Sequence, residues 1–598
     1  MLSPLAFNAG DRLPCSAVPA AGSRVLLASV LNSESSSTEH ESLYPVPDEQ
    51  IVFSAENGCH EPRPTPMTRP EAIASEYCDE WMEAESRELS SIEERNVIEG
   101  VVDTPDGVKP IQSRFVYKWK DLDSAKPKAK VRLCAKGYSQ VPGIDYQETF
   151  APTGKNVIFR LYLILMMMFN MKNCLIDVNT AFLYADLKKP VYMAGPTGFE
   201  CPPGKSFKVV KSLYGLKQAP RDWNLLLRTF ILSLGLLQST LDPCAFYSAA
   251  SATFVVFVLI YVDDIIILAE TEERLQEVKE AFMTRFACKD LGQIKRFLGI
   301  NVKYVPGDYV RLEQSHYAQS VTEKYREYYV LLFPTDRSVP LPYDTVDRLD
   351  DESSLNTDSD YYDWWQSFPY MGIIGSLLYL AINTRPDIIY HVCMLARFSC
   401  NHTPQACYVL AHLLSYVAGT TSFGVTYRFS DLVDIYEIIT EAYSDADWAG
   451  DRRTRRSTAG YLVFVAGAPI AWYSKLMPTV AASSMESEYM SAFHCGQEIL
   501  FIRNFLAEIG IPQTKPTIFR MDAKAAIDAL VNPIFHARTK HIAVKFRWLQ
   551  SLLQADEPPI CLVHVPTEGM YADLLTKVVA TRIWNALVPV LVTEEVEE

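Results

Sequence analysis

Two adjacent aspartates, Asp263 and Asp264, interrupt the most apolar run of the chain, TFVVFVLIYVDDIIILA from Thr253 to Ala269. Ionised carboxylates are almost never fully buried unless they are paired or hold a metal. Two of them on one tight turn raise each other's pKa unless a cation neutralises them. A run of this length, broken at its middle by charge, reads as two buried strands joined by a turn rather than as a membrane span. Such a tip can bind a divalent ion through oxygen ligands of the kind Mg²⁺ prefers; the other reading is an acidic turn in solvent. Further aspartates stand where strands are expected to end: Asp177 closing CLID, 86 residues before Asp263, then Asp445 in YSDADW and Asp522 after TIFRM. Open α/β sheets place their ligands at such carboxyl ends.

The elements that must position these acids belong to a chain of 598 residues, too long for one core. Its 48% apolar and 21% charged residues are ordinary for globular protein. The formal charge of −16 argues against a wholly basic nucleic-acid coat and directs attention to local basic patches. Thirteen cysteines lack CxxC pairs or regular spacing, which suggests a reducing compartment. Cys393, Cys400 and Cys407, near His391 and His402, recur every seven residues. That spacing predicts one face of a buried helix rather than a zinc site. No charged n-region followed by an apolar core is evident at the N-terminus, so no secretory signal is expected.

Along the chain, Ser-, Pro- and Glu-rich clusters predict a disordered leader to about residue 70. An amphipathic helix follows from Glu71, carrying Trp81, Leu89 and Ile92. The strand KAKVRLCAKGYSQ then alternates cations with apolar residues; its basic face is either solvated or tracks phosphate. An apolar helix over 155–171, too short to span a bilayer, leads into the Asp177 strand. SLYGLKQAPRDWN precedes a helix with Trp223, Leu226, Leu227, Phe230, Ile231 and Leu234 on its buried side, and FLGINVKY reads as one strand. Residues 330–359 look like a linker, and three helices are expected between 360 and 420, with breaks at 384–387 and 403–404. From 435, three strands, a long helix from Ser483 to Ile509, and strand–helix pairs predict an α/β sandwich. MYADLLTKVV reads as its last helix.

The ordered set VRLCAKGYSQVPGIDYQETFAPTGK, IDVNTAFLYADL, KSLYGLKQAPRDW, YVDDIIIL, FLGI, SLLYLAINTRPDI, YSDADWAGDRRTRRSTAGY, SSMESEYMSA, RTKHI and ADLLTK resembles the reverse transcriptase–ribonuclease H region of copia-type LTR retrotransposon Pol polyproteins, over roughly residues 71–580. The resemblance implies an α/β (α+β) chain. Residues 1–70 would be the leader, 71–330 the fingers and palm of a right-hand polymerase, and 331–434 a linker and thumb-like helical connection. Residues 435–582 would form a ribonuclease H-like α/β domain, and 583–598 an acidic tail.

It further implies that Asp177, Asp263 and Asp264 hold two Mg²⁺ ions, with Mn²⁺ a possible substitute, for nucleotidyl transfer. Phe182 matches the bulky residue that rejects a 2′-hydroxyl. Lys130, Arg132, Lys217 and Gln218 fall in nucleotide-contacting motifs, and Leu298 and Gly299 match the primer grip; for the basic residues a plain solvated role stays open. Asp445, Glu488, Asp522 and Asp573 match the four ribonuclease H carboxylates. Glu486 competes for the helical position, and the continuation Glu-Tyr-Met selects Glu488. His541 or His564 would assist proton transfer or be structural.

The partners implied are an RNA template, a DNA primer, the RNA/DNA hybrid and dNTPs, with no membrane; the oligomeric state is left open. The implied location is intracellular: cytoplasmic particles, then nuclear delivery. Thr153 stands where the family usually has Val, and Ala194–Gly195 replace a Gln-containing turn. No protease or integrase segment is evident, so a piece of a longer element is expected. The alternatives are a non-catalytic relic that at most binds nucleic acid, and a nuclease using only the C-terminal half.

Overall fold

The computed structural model describes residues 63–594 apart from 121–126, 250–253, 343–348, 350–363, 433 and 532–542. The leader up to residue 62 and the RTKHI segment, His541 among it, lie outside these residues. The described residues belong to one compact unit.

Alternation decides the first layer. In β2 (Ser113–Lys120), which follows helix α1 (Cys78–Glu94) and strand β1 (Ile98–Asp103), the residues Phe115, Tyr117 and Trp119 face inward. They pair with β3 (Lys128–Ala135), whose Val131 and Leu133 are buried and whose Lys130 and Arg132 take the other face. Trp81 of α1 packs on Trp119 at 4.4 Å. Order begins before residue 71: Thr68 caps the helical turn Arg69–Ala74, and Arg69 meets the buried Glu85 at 3.0 Å. The expected leader boundary therefore moves back, because a cap and an ion pair fix residues that composition alone reads as loose.

Next come α2 (Asn156–Met168), β4 (Lys172–Val178), β5 (Asp186–Met193), β6 (Lys205–Lys211), α3 (Ala219–Ser233), β7 (Leu236–Gln238), β8 (Ala245–Ser248), β9 (Val256–Tyr261), β10 (Asp264–Ala269), α4 (Glu272–Arg285) and β11 (Cys288–Asp290). The six-stranded sheet runs β11-β4-β10-β9-β8-β7. β9 and β10 are buried almost throughout, as their unbroken apolar sequence predicts. Tyr162 of α2 packs on Phe257, while Phe282 of α4 meets Phe230 of α3.

FLGINVKY is a hairpin and not one strand. β12 (Arg296–Phe297) turns through Leu298 and Gly299, with φ of 49° and 71°, into β13 (Ile300–Val305). Two consecutive positive φ values suit a two-residue hairpin turn. β14 (Tyr309–Glu313) follows. The three expected helices are α5 (Tyr370–Asn383), α6 (Ile389–Ala396) and α7 (Pro404–Ala418), and β15 (Gly424–Arg428) then joins β12–β14 in one sheet. The break at 384–387 is a buried ion pair, Arg385 to Asp387 at 2.7 Å, to which Tyr416 also donates. The three cysteines do not share a helix face: Cys393 is on α6, Cys400 is exposed beyond it and Cys407 is buried in α7. Of the expected linker, Phe333 and Leu341 are buried, so that described part is packed.

The last sheet is ordered β18-β17-β16-β19-β20, from β16 (Ile439–Asp447), β17 (Thr458–Val465), β18 (Ala468–Leu476), β19 (Thr517–Met521) and β20 (Ile560–His564). β16 pairs antiparallel with β17 and parallel with β19, and the long helix α8 (Ser484–Glu508) packs on it. MYADLLTKVV forms only a 3₁₀ turn, Tyr571–Leu575, whose Ala572 through Leu575 are all buried against β16 and β17. The expected acidic tail from 583 is helix α9 (Thr581–Leu591), with Trp584 and Leu587 buried; the apolar residues at 584, 587, 588 and 591 line one helix face and favour its docking.

Arg160 of α2 joins these layers. Its guanidinium donates to the carbonyls of Ile470, Ile382 and Asn383 at 2.8–2.9 Å and lies 3.8 Å from the centre of the Trp472 ring. Burial pushes its pKa down to about 10. Replacing it by Ala strands three carbonyl groups in the interior. Arg160→Ala should cost about 3 kcal/mol or more of stability, read by denaturant unfolding; a loss within about 0.5 kcal/mol would contradict the junction's role.

Candidate active sites

The first acidic group is set by strand register. Asp264, the first residue of β10, pairs with Asp177 on β4 and with Tyr261 on β9, so Val262 and Asp263 form a two-residue turn. Val262 has φ of 57°, an outlier for a β-branched side chain. Two contacts hold it there: Trp223 Nε1 donates to the Val262 carbonyl at 2.6 Å, and the Val178 amide donates to the Asp263 carbonyl at 2.9 Å. Burial, then Asp177, raises the pKa of Asp263. Burial, then Asp263 and Asp177, pushes Asp264 up to about 7.

The basic face of β3 looks toward these acids. Arg132 and Lys130 act on Asp263, and Lys120 acts on Asp264. Burial, Arg132 and Lys120 push Lys130 down to about 7. Arg132 lies 4.6 Å from the Tyr214 ring centre, and Tyr214 meets Phe182 edge-on at 5.2 Å. Lys217 is exposed, whereas Gln218 is buried and accepts a hydrogen bond from Gln140 at 3.0 Å. Gln218 thus braces its loop. The Leu298–Gly299 turn is anchored by Tyr379, whose hydroxyl donates to the Leu298 carbonyl. Phe297 beside it touches both Phe159 and Tyr261, which places the turn next to the Asp263–Asp264 hairpin.

The second group converges more tightly. Asp445 near the end of β16, Glu488 on α8 and Asp522 just after β19 each offer an oxygen within 4.8 Å of the others. Glu486 instead accepts from the Ala482 amide at 2.7 Å, in the capping arrangement opened by Ser483. Asp573 is buried on the 3₁₀ turn, and burial, then Asp445, pushes it up to about 7. Lys577 Nζ lies 2.9 Å from Asp573 Oδ1 and 3.6 Å from Asp445 Oδ2. His564 is exposed and acts on Asp522.

Residues 96–330 match the family model described as reverse transcriptase (RNA-dependent DNA polymerase). The chain is 33% identical over 518 residues to the retrovirus-related Pol polyprotein from transposon TNT 1-94 of Nicotiana tabacum, covering 86% of this chain and 38% of that protein. It is 35% identical over 515 residues to the corresponding polyprotein from transposon RE1 of Arabidopsis thaliana, covering 86% and 33%. The chain belongs to the copia-type reverse transcriptase family. It spans about a third of the length of these relatives. A foamy viral protease-reverse transcriptase in complex with RNA/DNA hybrid is similar at a TM-score of 0.39 and 14% identity, covering 86% of this chain and 56% of that one, which adds nothing to the assignment.

In this chain both acidic groups suit hard divalent cations, which take oxygen ligands. Glu488 Oε2 is buried with no hydrogen-bond partner, as a ligand-directed atom would be. Sequence reasoning did not single out Lys577, although ADLLTK contains it four residues after Asp573. It also passed over Asp447, which burial and Asp445 push up to about 6, and Trp223 as the brace of the 262–263 turn.

The raised acids set a pH dependence. With folded values near 7 for Asp264 and Asp573 against about 4 in an unfolded chain, their protonation favours the fold. That stability is fully present below about pH 4 and is lost as pH rises through about 7. Mg²⁺ competes with the proton of Asp264, so it should raise the melting temperature more at about pH 8 than at about pH 5. Equal shifts in a fluorimetric melt would contradict this.

Proposed function

We propose that this chain is an RNA-directed DNA polymerase with a fused ribonuclease H, extending a DNA primer from dNTPs on RNA or DNA and cleaving the RNA strand of the hybrid. The observation that carries the reading is the pairing of Asp264 with Asp177 beside Asp263, opposite Lys130 and Arg132. An acidic centre faced by cations suits a triphosphate whose reacting end lies on the acids. Mg²⁺, or Mn²⁺ in its place, would be held by Asp177, Asp263 and Asp264 and, in the second centre, by Asp445, Glu488, Asp522 and Asp573, supplying charge neutralisation and an activated oxygen nucleophile.

In this reading residues 71–330 are fingers and palm, 331–434 the connection, and 435–582 the ribonuclease H domain. Lys130, Arg132 and Lys217 bind phosphate, Gln218 positions their loop, and Leu298–Gly299 support the primer. Phe182, held edge-on by Tyr214, lies against the incoming sugar. Phe182→Ala should therefore raise ribonucleotide incorporation relative to deoxyribonucleotide by roughly tenfold or more, measured by single-nucleotide extension; an unchanged ratio would remove Phe182 from that role.

Primer extension on an RNA template and cleavage of a labelled hybrid, each with Mg²⁺ and with Mn²⁺, test the whole reading. Neither activity in either metal would leave a nucleic-acid-binding relic. Cleavage alone would leave a nuclease.

A further inference from the structure

We propose that Lys577 occupies the place of a second cation in the C-terminal acid cage. The free chain then takes one divalent ion, at Asp445, Glu488 and Asp522, and a second enters only when nucleic acid draws Lys577 away. This rests on reading the cage as a metal centre.

The geometry divides the four acids unequally. Three converge within 4.8 Å, and Asp573 is not among them. Asp573 is linked to the rest through Lys577, whose ammonium is 2.9 Å from it and 3.6 Å from Asp445. Two ions sharing a carboxylate in such centres sit about 3.5–4 Å apart. The ammonium lies between Asp573 and Asp445, the acids that would help to hold a second ion, and would repel a divalent cation at that range. Glu488 supplies the independent sign of a ligand: it is 6% exposed, with Oε2 unpartnered.

The backbone of Lys577 is fixed while its side chain can leave. Its amide donates to the Asp573 carbonyl at 3.1 Å, and the neighbouring Thr576 hydroxyl donates to Asp445 Oδ2. The turn presses on β17 at Gly460, where a Cβ would stand 2.7 Å from Thr576 Cγ2, so glycine permits the approach. The Lys577 side chain is nevertheless 37% exposed, against 2% for Asp573. A phosphate of bound nucleic acid offers the ammonium another anion on the open side.

Mn²⁺ titration of the full chain carrying Asp263→Asn and Asp264→Asn, which silence the first centre, tests this. The expected stoichiometry is about one ion, rising to about two in the further variant Lys577→Met and staying at about one in Lys577→Arg. Unchanged stoichiometry and affinity in a folded Lys577→Met protein would overturn the proposal. An independent arm leaves Lys577 in place and adds a nuclease-resistant 2′-O-methyl RNA/DNA hybrid: a rise from about one ion to about two is expected, and no rise overturns it. If Asp445→Asn leaves Mn²⁺ binding intact, the metal-centre reading itself fails, which separates the two.

Discussion

Asp263→Asn reduces primer extension by roughly 10³-fold or more, while the same protein still cleaves RNA in a hybrid. Asparagine keeps the size of the side chain and its place on the 262–263 turn, but removes the charge. The turn does not depend on that charge, because it is held by Trp223 and the Val178 amide through backbone carbonyls. Asp263 is destabilised as a carboxylate by burial and by Asp177, so neutralising it relieves repulsion. The variant should melt no lower than the parent without metal, and a lost activity is then chemical and not a failure to fold. Primer extension, hybrid cleavage and melting, all measured on one preparation, distinguish these outcomes. Loss of both activities together would count against two separate centres.

Asp445→Asn gives the converse: hybrid cleavage falls by roughly 10³-fold or more while primer extension stays within about twofold. Asp445 is 2% exposed and is the acid shared by the converged trio and by Lys577. An asparagine oxygen still accepts from Thr576, so the turn that carries Asp573 keeps its anchor. The two centres sit on different sheets, joined through Arg160 and its three carbonyl acceptors rather than through shared acids. A parallel loss of synthesis would show that the second sheet supports the first centre, and intact cleavage would remove Asp445 from the chemistry.

Local pattern explains what was legible and what was not. The buried β9–β10 pair, the basic alternation of β3 and the capped helix α8 each follow from neighbours a few residues apart. FLGINVKY misled because a two-residue turn hides inside an apolar run when Leu298 takes the left-handed conformation. The seven-residue cysteine repeat misled because the helix breaks between α6 and α7. The span 583–594 read as tail because the acidic end of the chain masked the apolar face of α9.

By itself the sequence determined the order of the motifs, the family to which they belong, and the acids that stand at strand ends. Only the tertiary structure decided that Gln218 braces a loop, that Arg132 stacks on Tyr214 toward Phe182, and that Lys577 stands between Asp445 and Asp573. The reason is distance along the chain: periodicity reports which face a residue takes, whereas contacts between positions roughly a hundred residues apart depend on how sheets and turns pack.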